Sequence, residues 1–351
     1  MAWFAANNCQ GDTTMILPRL TIALAAATAA FGLTVAQANP VADFYRGKTV
    51  NVLIGVGVGG EYDLQARLVA RHIGKHIPGN PTVVAQNMTG AGGLKMANYL
   101  AAVAAQDGTY IGMIANSFPG LQVIGLKGMQ FDSGKFQWLG TMAATVETMA
   151  VWHTAGVKSI NDVRKRETVA GASGKGAITY TLPAMMNEVL GTKFKIVTGY
   201  TGGNQINLAM ERGEVEARNN TWSSWKATKK TWLDEKKIMI LAQAGPKAAD
   251  LDAPSVAELA KTPAERQLVE LIVSGTQMGR PLATTPGTPA DRVVALRAAF
   301  AATMKDPEFL AEAAKLNFEV NPVLGETMQR TVAKILSTPK AVADRARPLL
   351  Q

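Results

Sequence analysis

The sequence predicts an α/β protein with two lobes, each a mainly parallel sheet flanked by helices. Strand, glycine loop and helix patterns follow one another repeatedly from residue 50, and the series restarts after residue 150. Alternation of this kind is typical of parallel sheets that are covered by helices. The chain has 351 residues, 47% of them hydrophobic, which is enough for two lobes that each bury a core.

The first lobe is predicted to contain three strands and two helices. The strands are expected at residues 50–54, 83–85 and 109–115, and the helices at residues 64–77 and 94–105. Glycine-rich loops follow the first two strands, and the polar pair Asn116-Ser117 follows the third. The carboxyl ends of parallel strands share one edge of a sheet, where ligands bind in such folds. These three segments are therefore expected to form one side of a ligand site.

A second series of elements predicts the other lobe. Its strands are expected at residues 150–152, 168–170, 194–197 and 215–218, and its helices at residues 180–190 and 205–212. Glycine loops follow the second and third of these strands. The chain is then expected to return to the first lobe near residue 278. The predicted division is residues 39–147 with 279–351 for lobe I, and residues 148–278 for lobe II.

Residues 1–38 are predicted to be a secretory signal peptide. A short basic start precedes an apolar, alanine-rich run at residues 20–35, and Ala36-Gln37-Ala38 matches a cleavage site. The apolar run is short for a membrane span. We therefore expect a periplasmic protein that is cleaved near Ala38, with translation starting at Met1 or, if the N-terminus is over-extended, at Met15.

The composition restricts the class of partner. The formal net charge is +9, which favours an anionic partner. The basic residues are scattered and no nucleic-acid-binding module is visible, so no nucleic-acid partner is expected. The single cysteine, Cys9, precedes the predicted cleavage site, so the mature protein should contain no disulfide.

The loop at residues 55–63 predicts an anion site. Backbone N–H groups at the start of a helix are unpaired, and glycines let an anion approach them closely. Residues 55–60 also match the GxGxxG pattern of dinucleotide sites. That pattern needs an acidic residue about 20 positions further on, whereas the next predicted strand ends in Gln86-Asn87. A carboxylate or phosphate site is therefore favoured, and no cofactor is expected.

Glycine-rich and polar motifs recur at the ends of the predicted strands. They are Gly59-Gly60 with Asp63, Asn-x-x-Gly-Ala-Gly-Gly at residues 87–93, Asp107-Gly108-Thr109 with Asn116-Ser117, Ser173-Gly174-Lys175-Gly176, Tyr200-Thr201-Gly202-Gly203 and Gly213-Glu214-Val215-Glu216. In this arrangement the chain resembles the substrate-binding receptors of tripartite tricarboxylate transporters, the Bug-type periplasmic binding proteins. The resemblance covers residues 40–340 and implies a two-lobed periplasmic-binding-protein fold of type II.

The chain departs from this family at the expected site. Prolines are usual where this chain has Gly55 and Gly57, an aromatic residue is usual in place of Val56, and a third glycine is common in place of Glu61. A polar run at residues 218–222 replaces the usual Met- and Phe-rich strand. These departures concern the identity of the ligand rather than the fold.

The resemblance implies a monomeric receptor, with no catalytic or metal-binding residues, that passes a small organic carboxylate to membrane permease subunits. The ligand class comprises di- and tricarboxylates and aromatic acids. One carboxylate is expected at the Gly59-Gly60 loop, and the other end of the ligand at the loops around Ser173 and Gly202. The predicted ligand-binding residues are Val58, Gly59, Gly60, Asp63, Asn116, Ser117, Ser173, Gly174, Gly176, Tyr200, Gly202, Gly203, Arg218 and Trp222.

The alternative is an exported, hydrolase-like α/β enzyme that acts on a small anionic substrate. Ser173 resembles a nucleophile, but residues 171–175 miss the last glycine of GxSxG, and no Ser-His-Asp set can be traced. His72 and His76 share a predicted helix face, as a zinc pair would. Basic residues flank both histidines, so a solvated basic face is predicted there instead.

Three of the predicted site residues have two interpretations each. Asp63 is either a helix cap, accepting N–H bonds near Gln65 or Ala66, or a ligand contact; the cap is favoured because an anion repels another anion. Arg218 either clamps a carboxylate or forms an outward salt bridge. Trp222 either lines the cleft or packs within the lobe.

Overall fold

The computed structural model describes residues 39–350, and the predicted signal peptide and its cleavage site lie outside them. Two β-sheets, each flanked by helices, form the described part of the chain. The predicted α/β class is therefore confirmed. In residues 39–350, no helix combines the length and the apolar character that a membrane span requires.

The strands of the described residues form one six-stranded and one five-stranded sheet. The strands are β1 (Thr49–Ile54), β2 (Thr82–Asn87), β3 (Tyr110–Met113), β4 (Gln137–Thr141), β5 (Glu147–Trp152), β6 (Thr168–Gly171), β7 (Phe194–Val197), β8 (Ala217–Thr221), β9 (Ile238–Ala244), β10 (Leu282–Thr284) and β11 (Val323–Leu324). The first sheet has the order β11-β4-β10-β3-β1-β2, and the second has the order β7-β6-β8-β5-β9.

Helices cover both sheets. They are α1 (Pro40–Tyr45), α2 (Glu61–Ile73), α3 (Leu94–Ala102), α4 (Phe118–Ile124), α5 (Ile160–Lys165), α6 (Ile178–Leu190), α7 (Gly203–Glu211), α8 (Trp222–Thr228), α9 (Lys230–Asp234), α10 (Val256–Leu259), α11 (Pro263–Val273), α12 (Ala290–Thr303), α13 (Pro307–Lys315), α14 (Gly325–Leu336) and α15 (Lys340–Ala346). Buried aliphatic and aromatic side chains fill the space between helices and sheets, among them Leu68, Trp138 and Phe300.

Both sheets are mixed, whereas mainly parallel sheets were expected. Strands β1, β2 and β3 are parallel, as are β6, β7 and β8, and these are the strands that alternate with helices. Strands β4, β5, β9, β10 and β11 add antiparallel pairs. The chain leaves the first sheet after Thr141, enters the second at Glu147 and is back in the first at Leu282. The lobe boundaries at residues 147/148 and 278/279 stay a prediction.

Several elements begin or end a few residues away from their predicted positions, and two of these shifts affect the site. Helix α2 starts at Glu61 rather than at residue 64, which places Glu61 in its first turn. Strand β8 spans Ala217–Thr221 rather than residues 215–218. All five residues of β8 are buried although four are polar, so a search for apolar residues misses its register.

The basic residues at the end of α2 and in the turn after it are partly solvated, as predicted for this face, but they are also paired with acidic residues. His72 Nε2 lies 2.7 Å from the Glu312 carboxylate, and His76 Nε2 lies 2.7 Å from that of Asp306. Lys75 Nζ also lies 2.6 Å from Asp306. The acidic partners belong to α13 or its N-cap, some 230 residues along the chain. Only the packing of α13 against α2 brings them together.

Candidate functional site

A cavity of about 80 Å³ lies between the two sheets. Its walls come from the loop after β1, the start of α2 and the end of β3 on one side. The other side is formed by the loop after β6, the start of α7 and strand β8, and Arg280 closes one part of the wall. The cavity is large enough for several water molecules or a small organic ligand.

The structure brings eight of the fourteen predicted residues to this cavity. They are Gly59, Gly60, Asn116, Ser117, Ser173, Gly202, Gly203 and Arg218. Most of them follow a parallel strand at its carboxyl end, which is where the sequence placed the site. Arg218 lies within β8 and faces inward, so the outward salt bridge considered for it is wrong.

Six predicted residues lie outside the cavity lining, namely Val58, Asp63, Gly174, Gly176, Tyr200 and Trp222. The side chain of Val58 is 66% exposed. Tyr200 packs against a hydrophobic cluster of the second sheet. Trp222 donates its indole N–H to Asp250 at 2.8 Å, so it packs within its lobe.

Asp63 has a structural role, as favoured, but with other partners than expected. Its Oδ2 accepts the backbone N–H of Gly59 at 3.0 Å, rather than N–H groups near Gln65 or Ala66. Its Oδ1 accepts from Arg67 Nε and Asn87 Nδ2, each at 2.9 Å. These bonds hold the first glycine loop against α2 and β2, which orients the loop toward the cavity.

Gly174 and Gly176 lie where the two lobes touch. A Cβ atom on Gly174 would lie 2.9 Å from the backbone nitrogen of Gly92, and one on Gly176 would lie 2.7 Å from the carbonyl oxygen of Ala91. Ser117 Oγ also donates to the Gly176 carbonyl oxygen at 2.9 Å. The absence of side chains here therefore permits the close approach of the lobes.

Two helices point their N-termini at the cavity from opposite lobes. Helix α2 begins after Gly60 and α7 begins after Gly202, and neither N-cap residue carries a capping side chain. The two starts are close, since a Cβ on Gly60 would lie 3.7 Å from the backbone nitrogen of Gly203. Unpaired N–H groups and helix dipoles both favour an anion at this position.

Arg218 supplies a positive charge to the same place. Its side chain is 3% exposed, and it donates from Nε to the Asn219 carbonyl oxygen and from Nη1 to Gly203 O and Asn207 Oδ1. These acceptors are all uncharged, and the hydrogen bonds that it makes within residues 39–350 leave Nη2 free. Burial lowers the pKa of Arg218 to about 9, although Glu147 acts in the opposite direction. The guanidinium is therefore cationic at pH 7.

Glu61 and Arg280 form a second charged group, which is internally paired. Arg280 donates to Glu61 Oε2 from Nε at 3.0 Å and from Nη2 at 2.7 Å. The Tyr62 ring lies 4.2 Å from the Arg280 guanidinium carbon. Burial acts to lower the pKa of Arg280, but Glu61, Tyr62 and Glu147 outweigh it and raise that pKa.

Glu147 lies behind this pair and completes the charge balance. It accepts from Asn219 Nδ2 at 2.9 Å, and its Oε1 lies 3.8 Å from Arg280 Nη1 without a hydrogen bond. Burial raises the pKa of Glu147, against the attraction of Arg280. The two arginines and the two glutamates have a formal net charge of zero.

The prediction did not include several polar residues that the structure brings to the cavity. They are Glu61, Tyr62, Asn204, Asn207, Asn219, Asn220, Ser224 and Arg280. Glu61 is one of the departures from the family pattern, and this departure is a signal in the sequence that points to the site. Arg280, between Gly279 and Pro281 at the return to the first sheet, was a weaker one.

Within residues 39–350, Ser173 has none of the partners that a nucleophile needs. Its Oγ lies 3.2 Å from Thr179 Oγ1, and its backbone N–H donates to the same hydroxyl at 3.2 Å. A threonine hydroxyl cannot act as the general base that activates a serine. Ser173 instead presents a hydroxyl to the cavity wall.

Comparisons with known proteins find the same architecture elsewhere. The solved structure of periplasmic binding protein BugD matches with a TM-score of 0.69 and 21% identity, over 86% of this chain and 98% of that one. MatC from Rhodopseudomonas palustris, with bound malate, matches with a TM-score of 0.66 and 18% identity, over 87% and 99%. A protein of R. palustris with adipate matches with a TM-score of 0.67 and 20% identity, over 85% and 97%.

A curated relative supports the same resemblance. The UPF0065 protein in gbd 5′ region of Cupriavidus necator is 24% identical over 334 residues, which are 92% of this chain and 94% of that protein. No family model matches the chain. At these identities the structural matches establish the fold. The predicted two-lobed periplasmic-binding-protein fold, and the resemblance to Bug-type proteins on which it rested, are confirmed.

Proposed function

We propose that this chain, which has the fold of the Bug-type periplasmic binding proteins, is a non-catalytic receptor for a small organic carboxylate. In this proposal the protein is exported to the periplasm, binds its ligand between the lobes and delivers it to a tripartite tricarboxylate-type membrane transporter. The export and transporter steps rest on the signal-like N-terminus and on the resemblance to the family.

The observation that carries the proposal is that Arg218 is buried and donates only to uncharged acceptors. A guanidinium in a low-dielectric site is stabilised by an anion, and a carboxylate can accept its hydrogen bonds in a fixed geometry. Nη2 is available for such a bond. The N-termini of α2 and α7 direct further N–H groups to the same cavity. The three features together favour a carboxylate ligand over a neutral one.

Similar proteins support the choice of ligand class. MatC is described with bound malate and the second R. palustris protein with adipate, and both ligands are small carboxylates. Ser173 and its threonine neighbour do not form a catalytic set, so no observation favours the hydrolase-like alternative.

A binding screen of the mature protein, residues 39–351, tests the proposal. Mono-, di- and tricarboxylates and aromatic acids are added in a thermal-shift assay, and positive compounds are measured by calorimetry. A ligand that binds only the folded state must raise the melting temperature. We expect one class of organic carboxylate to do so and to be recovered chemically unchanged. A library in which no carboxylate raises the melting temperature contradicts the proposal.

Arg218→Ala is the matching variant. Because it removes a charged hydrogen-bond donor from a buried site, we expect the affinity for that carboxylate to fall about tenfold or more. Arg212→Ala is the control, because this arginine is exposed and outside the cavity. Equal affinities for Arg218→Ala and the unaltered protein would contradict the anchoring role of Arg218.

A further inference from the structure

We propose that the cavity selects a monocarboxylate with an uncharged remainder, because Glu61 already fills a second carboxylate position from within the chain. This inference rests on the proposed function and narrows its substrate class. The similar proteins described with malate and adipate bind dicarboxylates, so the inference predicts a difference from them.

The Glu61 carboxylate is held as a bound anion would be. It accepts two hydrogen bonds from Arg280, one from Thr221 Oγ1 at 2.5 Å and one from Ser223 Oγ at 2.6 Å. Gln65 Nε2 donates a fifth at 3.2 Å. Donors from a distant arginine, from β8 and from α8 thus converge on one carboxylate. In a receptor without Glu61, these donors would be available to a ligand.

The charges that line the cavity leave one cation for a ligand. Within the described residues, Arg218 and Arg280 are the cationic side chains of the lining. Arg280 is neutralised by Glu61 through two hydrogen bonds, and Arg218 donates only to uncharged acceptors. Glu147 attracts both arginines from behind the wall, but it does not line the cavity and accepts no hydrogen bond from Arg218 within the described residues. A ligand with one carboxylate would pair with the charge of Arg218 and accept a hydrogen bond from its Nη2. A second carboxylate would find no unpaired guanidinium and would be repelled by Glu61 in a low-dielectric site.

The remaining wall suits an uncharged group. Met113, Ala115, Ala177 and Ile178 contribute apolar surface to the cavity, beside the hydroxyl of Ser173. Small alkyl, aryl or hydroxyl-bearing groups can contact such a wall without losing a charged hydration shell. The ligand class is therefore a short aliphatic, hydroxylated or aromatic acid with a single ionised carboxylate.

Matched pairs of acids test the inference by calorimetry at pH 7. The probes are butyrate with succinate, pentanoate with glutarate, hexanoate with adipate, and benzoate with phthalate. We expect the monocarboxylate of the best-binding pair to bind at least about tenfold more tightly than its dicarboxylate partner. Equal or tighter binding of the dicarboxylate overturns the inference and leaves the proposed function intact. If neither these probes nor any acid of the wider screen binds, the proposed function fails.

Glu61→Ala should reverse the preference. The change frees the donors of Arg280, Thr221 and Ser223, so the dicarboxylate of the same pair is expected to gain about tenfold in affinity relative to the monocarboxylate. Glu270→Ala, which removes an exposed carboxylate on α11, should leave the ratio unchanged. An unchanged ratio in Glu61→Ala would overturn the inference. Glu61→Ala leaves Arg280 without its ionic partner, which destabilises the fold. Glu61→Gln is therefore the second variant. The comparison of paired acids on the unaltered protein tests the inference even if neither variant folds.

Discussion

Arg218 and Gly203 depend on each other at the residue scale. The carbonyl oxygen of Gly203 accepts from Arg218 Nη1 at 2.5 Å. A Cβ on Gly203 would lie 2.9 Å from Nη2 and 3.1 Å from Nη1, closer than such atoms normally approach. A side chain at residue 203 would occupy the space in which the guanidinium lies. Glycine is needed here for that reason, and not because the backbone adopts a conformation that other residues avoid.

We predict that Gly203→Ala weakens carboxylate binding about tenfold while the protein remains as stable as before. The new methyl group displaces the Arg218 guanidinium, whereas alanine in the first turn of α7 reduces the entropy of the unfolded chain. Calorimetry measures the affinity, and thermal unfolding without ligand measures the stability. Leu208→Ala, on the exposed side of α7, is the control. Unchanged affinity in Gly203→Ala would show that carboxylate binding does not depend on the present position of the Arg218 guanidinium.

At the scale of elements, the N-cap of α13 is attached to the turn that follows α2 by an ionic contact that depends on pH. Asp306 is the N-cap of α13 and accepts the Glu308 N–H at 2.9 Å. Two hydrogen bonds hold the pKa of Asp306 well below its ordinary value of 3.8. The bond from Lys75 has the larger effect and the bond from His76 the smaller. Because the pKa is lower in the folded state, the ionised carboxylate stabilises the fold above the unfolded pKa. This contribution is lost as the pH falls.

We predict that Asp306→Asn lowers the free energy of unfolding at pH 7 and that the difference from the unaltered protein shrinks as the pH falls below about 4. Urea unfolding at a series of pH values gives this difference. Asp252→Asn, an exposed site away from α13, should show no such trend. A difference that stays constant between pH 7 and pH 2 would mean that capping alone, without the charge, accounts for the effect.

At the scale of the whole molecule, the two lobes are in direct contact. The Gly57 N–H donates to the Thr201 carbonyl oxygen at 2.8 Å, and Ser117 Oγ donates to Gly176 O at 2.9 Å. Glu61 in α2 accepts from Thr221 in β8 at 2.5 Å. The structure is therefore a closed arrangement in which the cavity is enclosed between the lobes. Hinge closure of this kind excludes water and strengthens the hydrogen bonds of a bound anion.

We predict that Gly176→Ala weakens ligand binding about tenfold although residue 176 lies outside the cavity. Its Cβ would meet the Ala91 carbonyl oxygen at 2.7 Å, and this backbone atom cannot move aside as a side chain could. Full closure is therefore hindered. Small-angle scattering with and without the carboxylate should show a smaller contraction than in the unaltered protein, and calorimetry should show the lower affinity. Contraction equal to that of the unaltered protein would disprove this role.

Local patterns in the chain were enough to predict the α/β class, the repeated strand, loop and helix units, and the general position of the site. Hydrophobic periodicity and glycine loops are local signals, and the carboxyl ends of parallel strands must share an edge. This is why Gly59, Gly60, Ser173 and Gly202 were predicted at the cavity and lie there. The antiparallel half of each sheet carries no comparable local signal.

The charge arrangement of the site follows from contacts that no local pattern contains. Glu61 and Arg280 are 219 residues apart, and they meet because the chain leaves the first sheet and returns to it. Arg218 faces inward because β8 pairs with β5 and β6 in one particular register, in which a shift of one residue would reverse the direction of its side chain. Sequence patterns thus predicted the sheet edges at which the cavity lies, whereas the pairing of distant residues determines which charges face it.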